Sequence, residues 1–250
     1  MKIGIIGGTG FGSMKGLVIT HREMVSTPYG SPSCPVIFGS IGGCDEIAFI
    51  ARHGIGHTMA PHTINYRANL SAMQNMDVTH IIAINAVGGI TKKMSPLKLV
   101  FPDQIIDYTH SRKSTYYDKH AEKIEHVDFT YPYNDDLRRV LIKSAQENNI
   151  EHEANATYGA TQGPRLETAA EVECMQRDGC DIVGMTGMPE AVLARELNMN
   201  YACCAIVVNW AAGKNDGDII SMEQVNANLK TGSRSVHKLL AAALPEMMKL

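Results

Sequence analysis

The stretch HIIAINAVGG, residues 80–89, shows the pattern that decides the fold: the apolar run His80–Val87 ends in glycines and small polar residues. Four other short apolar runs end in a similar way, and they are Lys2–Gly7, Ile47–Ala51, Asp181–Met185 and Ala202–Asn209. Nearly continuous runs of this length, several of them rich in Ile and Val, are typical of strands that are covered on both faces.

Amphipathic stretches separate these runs, and they are Asn65–Asn75, Asp135–Asn148, Thr168–Arg177, Pro189–Glu196 and Ser221–Leu244. Strands that alternate with helices predict an α/β fold with a largely parallel or mixed central sheet flanked by helices. Because no repeat, low-complexity tract or long linker interrupts the chain, we expect residues 1–250 to form a single domain. Ligands of such sheets bind at the carboxyl ends of the strands, so the candidate site is sought there.

The composition excludes several function classes. The 250 residues include 23 basic and 26 acidic side chains, which give a net charge of −3. A chain with this balance has no general attraction for nucleic acid or anionic lipid, so any anion must be bound by a few local groups. No stretch approaches the ~18 apolar residues of a membrane span, and the N-terminal apolar run is too short for a secretion signal. Six cysteines without a CxxC pair indicate reduced thiols. We therefore expect a soluble cytoplasmic protein.

Two strand ends carry groups that suit an anion. GGTG, residues 7–10, is a glycine turn whose backbone N–H groups can point at a phosphate, and Thr9 adds a hydroxyl. It is neither a dinucleotide fingerprint nor a Walker loop, and a plain tight turn is the alternative. Arg52 and His53 end another run, and Arg can bind phosphate or carboxylate bidentately. The same RHG triplet would suit a phosphohistidine phosphatase with His53 as nucleophile, or a buried structural pair. The three histidines in residues 53–62 do not predict a metal site, because HExxH is absent and no acidic residue is near.

Three later segments carry polar or polarisable groups of their own. Glu167 precedes a helix that Thr168 and Glu171 begin with a capping box, and the alternative is a surface carboxylate near the helix dipole. Met185 ends a strand and could equally fill the core. Asn209 closes an apolar run, where its donor and acceptor have no evident structural duty.

The segment Tyr108–Tyr133 has a different character from the rest of the chain. It is rich in His, Tyr and Asp and shows little periodicity. We expect a long surface excursion, a kind of segment that more often serves a function or an interface than none.

Seven ordered segments, GIIGGTG, ARHG, NYRANL, NAVGG, GPRLETAAE, GMTGMPEAVLARE and VVNWAAG, resemble the nucleoside phosphorylase family. The resemblance covers nearly the whole chain and is closest to the trimeric enzymes for 5′-methylthioadenosine, inosine and guanosine. It implies a single-domain α/β fold with a central mixed sheet and a homotrimer. It further implies reversible cleavage of a purine N-glycosidic bond, with inorganic phosphate as co-substrate and no metal or organic cofactor.

The resemblance also assigns roles to residues. The family's phosphate site falls on Thr9, Arg52, His53, the backbone N–H of Ala86, and Thr186. Met185 matches the position under the ribose, whose apolar face suits a polarisable side chain. The base-reading positions are Glu167 and Asn209, with Trp210 and Ala211 beside Asn209, and these two side chains would stabilise the departing base.

The base-reading residues favour a 6-oxopurine. In hypoxanthine, N1–H can donate a hydrogen bond to the carboxylate of Glu167. In adenine, N1 carries a lone pair, which would face the same carboxylate. Such a mismatch costs about 1–3 kcal/mol. The methylthioadenosine enzymes have serine where Glu167 stands and aspartates where Asn209 and Ala211 stand, so this chain departs from them.

The residues matched to the sugar's 5′ end point to a methylthio group. Met222 and Val225 are apolar where inosine and guanosine enzymes place a histidine, and a 5′-hydroxyl there would lose a hydrogen bond. His126 resembles a residue that reaches the neighbouring subunit's 5′ pocket, where it could still bind a hydroxyl. Together these features favour 5′-methylthioinosine as the substrate. An inosine/guanosine phosphorylase, a methylthioadenosine phosphorylase, a phosphohistidine phosphatase and a non-enzymatic purine-sensing module remain alternatives.

Overall fold

The computed structural model describes residues 2–11, 14, 16–117, 124–215 and 219–250. Eleven strands within these residues join into one sheet. They are β1 (Ile3–Gly7), β2 (Val18–Glu23), β3 (Val36–Ile41), β4 (Cys44–Ala51), β5 (His80–Gly89), β6 (Leu99–Val100), β7 (Gln104–Asp107), β8 (His152–Glu153), β9 (Thr157–Ala160), β10 (Ile182–Gly184) and β11 (Asn200–Trp210).

All five predicted helices are present, within one to three residues of the expected bounds. They are α1 (Tyr66–Asn75), α2 (Asp135–Glu147), α3 (Ala169–Arg177), α4 (Glu190–Glu196) and α5 (Met222–Met247), and a 3₁₀ turn covers Pro61–Thr63. Four helices begin with a side chain that accepts a backbone N–H, from Asn65, Asn134, Thr168 and Ser221. At Thr168 the predicted capping box with Glu171 is confirmed.

The sheet is mixed, as expected. Its main order is β2-β3-β4-β1-β5-β10-β9-β7, while β11 pairs with β5 and β6, and β8 pairs with β6. The pairs β1–β4, β1–β5, β5–β11, β6–β8, β7–β9 and β9–β10 are parallel. Every residue of β1 is buried, which fits a strand covered on both faces.

The direction of β10 differs from that of β5, so the carboxyl ends of these two strands do not meet at the same edge of the sheet. β10 is antiparallel to β5, with Val183 opposite Gly88. Continuing that register beyond β10 places Thr186 opposite Asn85. The start of the loop after β10 therefore continues alongside the middle of β5 and does not leave the sheet at the carboxyl end of β5.

Three predicted site residues, Ala86, Asn209 and Trp210, lie inside strands. Ala86 is within β5. Asn209 is within β11, directly after a register shift between Val207 and Asn209. A bulge of this kind turns the strand locally and redirects a side chain, so Asn209 gets its orientation from the irregularity.

The remaining expectations about the chain have mixed outcomes. The described parts of Tyr108–Tyr133 contain no helix or strand, as expected, and residues 118–123 lie outside the described residues. The edge hairpin β2–β3 and the short strands β6 to β9 were not predicted. All six cysteines are in the described part of the chain and all are free thiols. No described helix is both long and apolar enough to cross a membrane.

Candidate active site

A cleft of about 490 Å³ lies above the carboxyl ends of β1, β4 and β5. Ten of the predicted site residues line it, and they are Thr9, His53, Ala86, Glu167, Met185, Thr186, Asn209, Ala211, Met222 and Val225. Arg52, Trp210 and His126 are not among its lining residues. The structure thus gathers side chains from seven separate segments of the chain around one space.

His53 is held as a neutral imidazole. Its Nδ1 lies 2.8 Å from the backbone oxygen of Met59. Because a carbonyl oxygen only accepts, Nδ1 carries the hydrogen and Nε2 is left as an acceptor. Burial, with a smaller contribution from the charge of Arg52, lowers the pKa of His53 to about 4, although the hydrogen bond to Met59 acts in the opposite direction. At neutral pH the ring therefore offers an acceptor to the cleft.

Thr186 is oriented by Asn85, a residue that the sequence did not single out. The Asn85 side chain is buried, with 1% of its surface exposed. Its Nδ2 donates to Oγ1 of Thr186 at 2.8 Å. Since the Thr186 oxygen accepts this bond, its own hydroxyl hydrogen can be donated to a ligand. A polar residue within the apolar run of β5 was the signal that could have identified Asn85.

Arg52 lies beneath the cleft in an ion pair with Glu190. Its Nε and Nη2 donate to the two carboxylate oxygens at 2.6 and 2.7 Å. Its Nη1 donates to the backbone oxygen of Ile84 at 2.9 Å, and the Tyr201 hydroxyl donates to Glu190 at 2.9 Å. Burial acts to lower the pKa of Arg52, but the Glu190 carboxylate raises it overall. The bidentate edge that we expected to bind an anion is therefore directed at Glu190.

The glycine turn packs directly onto this guanidinium. A Cβ at Gly8 would lie 2.8 Å from Nη1 of Arg52 and 2.5 Å from the backbone oxygen of Ile84. Only glycine allows the chain to come this close. Thr9, the next residue, lines the cleft, so the turn covers the arginine and presents a hydroxyl above it.

The base-reading residues lie in the same cleft, and each is held by a neighbour. Glu167 accepts a hydrogen bond at 2.6 Å from the hydroxyl of Thr161 through Oε1, which leaves a second oxygen on the carboxylate. Asn209 donates one amide hydrogen to the backbone oxygen of Trp210 at 2.6 Å and keeps another. The backbone oxygen of Trp210 therefore helps to orient the Asn209 side chain. A carboxylate acceptor and an amide donor in one cleft can read a purine edge.

Apolar side chains come from the start of α5. Met222 and Val225 line the cleft together with Ile220, which the sequence did not single out. Met222 is 59% exposed in the isolated chain. His126 is an exposed residue of the excursion.

The cleft offers few groups of the kind that bind metal ions. Among the described residues, no group of three His, Cys, Asp or Glu side chains could hold a metal ion. The cleft instead combines neutral hydrogen-bond donors, a neutral imidazole, a carboxylate and apolar side chains. Such a set can bind an anion beside a polar heterocycle.

Known proteins share this architecture. The model of the phosphorylase superfamily matches residues 2–245. A probable S-methyl-5′-thioinosine phosphorylase of Xanthomonas campestris pv. campestris is 48% identical over 240 residues, which cover 96% of both chains. A 6-oxopurine nucleoside phosphorylase of Pyrococcus furiosus is 43% identical over 253 residues, covering 99% of this chain and 94% of its own.

Solved structures of nucleoside phosphorylases have a similar fold. The methylthioadenosine phosphorylase of Schistosoma mansoni in complex with adenine has a TM-score of 0.94 at 29% identity, covering 100% of this chain and 93% of its own. The predicted single-domain α/β fold and the resemblance to nucleoside phosphorylases are confirmed. With the family model matched over almost its whole length, the chain belongs to the phosphorylase superfamily.

Proposed function

We propose that the protein catalyses the reversible, phosphate-dependent cleavage of S-methyl-5′-thioinosine to hypoxanthine and 5-methylthioribose 1-phosphate. The observation that carries this proposal is the shared cleft, in which Glu167 and Asn209 lie with the anion-binding candidates Thr9, His53 and Thr186. The names of the relatives from Xanthomonas and Pyrococcus support a 6-oxopurine as the base.

The choice of base follows from the hydrogen bonds that Glu167 can make. Its Oε1 already accepts from Thr161, so the carboxylate is fixed as an acceptor on the cleft. Hypoxanthine N1–H would complete that bonding, whereas adenine N1 would bring a lone pair against a negative charge. Asn209 would donate its remaining amide hydrogen to N7 or O6 of the base.

The phosphate would be bound without a dedicated charged side chain on the cleft. Hydroxyls of Thr9 and Thr186 and the backbone N–H of Ala86 would donate to its oxygens. Nε2 of His53 can only accept, so it would bind the phosphate oxygen that still carries a proton. This combination suits monohydrogen phosphate. The bound phosphate would face C1′ of the ribose from the side opposite the base.

In the reaction, a phosphate oxygen would form a bond to C1′ while the bond from C1′ to N9 breaks. The electron pair of that bond would move onto the base, and the ribosyl group would pass through an oxocarbenium-like state stabilised by the phosphate charge. The hydrogen bond that Asn209 donates to the base would strengthen as negative charge collects on the ring, which lowers the barrier, while Glu167 would hold the base in place by accepting from N1–H. The proton of the phosphate would end on the hypoxanthine that leaves, so atoms and charge balance.

The 5′ group and the assembly belong to the same proposal. Ile220, Met222 and Val225 give the cleft an apolar wall, which suits a methylthio group better than a hydroxyl. We propose a cytoplasmic homotrimer in which His126 reaches a neighbouring subunit's 5′ pocket. The exposure of both Met222 and His126 in the isolated chain supports this arrangement. Inorganic phosphate would be the co-substrate, and no metal or organic cofactor takes part in the proposed reaction.

A comparison of substrates tests the function. The protein would be incubated with phosphate and methylthioinosine, inosine or methylthioadenosine, and base release would be followed by absorbance. We expect kcat/KM to be highest for methylthioinosine, and base release to depend on phosphate. A preference for inosine would favour a general 6-oxopurine phosphorylase, the name of the Pyrococcus relative. Release of phosphate from a phosphomonoester, with no base released, would indicate a phosphatase and contradict the proposal.

A further inference from the structure

Arg112 lies on the excursion, outside the residues that line the cleft, yet it contacts two loops that form the cleft. Its Nη1 donates to the backbone oxygens of Met185 at 2.8 Å and Met188 at 2.6 Å. Its Nη2 donates to those of Thr161 at 3.1 Å and Gln162 at 2.7 Å. Its Nε donates to Oε1 of Gln162 at 3.1 Å. A guanidinium has five N–H groups, and these five oxygens match them.

The sheet topology explains how one side chain reaches both loops. β7, β9 and β10 are neighbouring parallel strands, so their carboxyl ends meet at one edge of the sheet. The loop after β9 begins with Thr161, and the loop after β10 begins with Met185. Arg112 follows β7 by five residues and lies across the ends of the other two strands.

These contacts connect the two halves of the candidate site. Thr161, fixed through its backbone oxygen, donates its hydroxyl to Glu167 at 2.6 Å. Met185, fixed in the same way, lines the cleft and precedes Thr186. We propose that Arg112 is a positioning residue that sets the spacing between the base-reading carboxylate and the segment facing the sugar and phosphate. This inference rests on the proposed function, since the spacing matters only if base and phosphate must align across C1′.

The fork of the guanidinium is what this role requires. Lysine would keep the positive charge but offers three donors from a single point, so it cannot span oxygens on two loops. Each half of the site would keep its own side chains in Arg112→Lys, while the distance between the halves would be free to vary. A misplacement of about 1 Å is enough to lower a rate about 100-fold.

Arg138 provides a matched control. It is a buried arginine that, like the partly buried Arg112, donates to backbone oxygens, those of Pro102 at 3.0 Å and Ala154 at 2.6 Å, and it does not line the cleft. Both Arg112→Lys and Arg138→Lys keep the charge and lose the fork. Each variant would be measured for thermal unfolding, for kcat and KM with methylthioinosine, and for Kd with hypoxanthine alone and with phosphate alone.

We expect Arg112→Lys to lower kcat about 100-fold while both Kd values stay within about threefold of wild type, because each half of the site remains intact. Arg138→Lys should lower the unfolding temperature and leave kcat unchanged. Should Arg112→Lys fail to fold, Gln162→Met removes one acceptor of the same fork, and kcat should then fall several-fold with both Kd values unchanged.

Three outcomes would overturn the inference. One is an unchanged kcat in the folded Arg112→Lys or, in its place, Gln162→Met variant. Another is a fall in kcat that only follows a loss of hypoxanthine or phosphate binding, since that would indicate a general structural role. Either result leaves the proposed function standing if the wild type turns over. A wild type that releases no base would instead overturn the proposed function, and the role of Arg112 with it.

Discussion

Replacing Glu167 with glutamine should weaken the preference for a 6-oxopurine over a 6-aminopurine. The substitution keeps the size and shape of the side chain, so its oxygen can still accept the hydroxyl of Thr161, which now lies 2.6 Å from Oε1. The second carboxylate oxygen becomes an NH₂ group. This group can donate to the lone pair of adenine N1, but it opposes the N1–H of hypoxanthine.

The expected magnitude comes from the two hydrogen bonds that change. Methylthioinosine loses a hydrogen bond to a charged group, which contributes about 1.5–3 kcal/mol. That corresponds to a fall of roughly 10–150-fold in kcat/KM. For methylthioadenosine the change removes an unpaired contact that costs about 1–3 kcal/mol, so kcat/KM should rise at least about 5-fold. The ratio of the two kcat/KM values should therefore fall by at least about 50-fold.

The assay is the ratio of kcat/KM for methylthioinosine and methylthioadenosine in Glu167→Gln and in the wild type. Glu171→Gln is the control, since this carboxylate lies four residues away, has a side chain that is 43% exposed and does not line the cleft. Glutamine also preserves its capping box. A ratio that stays within twofold of wild type in a folded Glu167→Gln variant would refute the base-reading role. A similar fall in Glu171→Gln would show that the effect is not specific to the cleft.

Three further predictions concern the other parts of the site. Asn85→Ala should raise the KM for phosphate about tenfold, because Thr186 loses the bond that orients its hydroxyl; an unchanged phosphate KM would contradict this. Met222→His should raise kcat/KM for inosine relative to methylthioinosine several-fold, and a lower ratio would count against an apolar 5′ pocket. The pKa of His53 is lowered to about 4 from an unfolded value of 6.5, so its neutral ring favours folding fully above pH 6.5 and progressively less as the pH falls towards 4. Between pH 7.5 and pH 5, the free energy of unfolding measured in urea should therefore fall by about 2 kcal/mol more in the wild type than in His53→Gln. An equal fall in both proteins would show that the ring is not held neutral.

The central strands, the helices and ten residues of the cleft could be predicted because their signals are local or ordered along the chain. An apolar run such as Lys2–Gly7 shows its own strand, and a capping box such as Thr168–Glu171 shows the start of its own helix. The assignment of Glu167 and Asn209 to a purine came from the order of the matched segments and not from periodicity. Their joint presence in one cleft is what the structure adds.

Other features depend on contacts between distant parts of the chain, which no local pattern shows. The direction of β10 is an example, because a strand of three residues does not indicate how it pairs. Asn85 donates a hydrogen bond to Thr186, which lies 101 residues away. Arg112 stands in a segment without periodicity, and its role becomes visible only when the ends of β9 and β10 are placed beside it.

Arg52 shows most clearly why a motif does not determine a role. The triplet Arg52-His53-Gly54 suited an arginine that binds an anion, yet Glu190, 138 residues away, takes the bidentate edge of its guanidinium. Both side chains are almost fully buried, and removing either one would leave an uncompensated charge at a cost of about 3–5 kcal/mol. The pair therefore acts as one neutral structural unit that supports the turn at Gly8.

That arrangement changes how phosphate selectivity should be understood. With Arg52 paired to Glu190, the lining of the cleft recognises the anion through the number and direction of hydrogen bonds more than through net charge. Hydroxyls and backbone N–H groups suit the bare phosphate oxygens, and the acceptor on His53 suits the protonated one. A sulfate ion carries no such proton at neutral pH, so it would place an oxygen lone pair against the lone pair of His53 Nε2. The hydrogen of the neutral ring is on Nδ1, which donates to Met59, and Nε2 has none to donate. The neutral imidazole is therefore the feature of the cleft that distinguishes monohydrogen phosphate from a fully ionised anion of similar size.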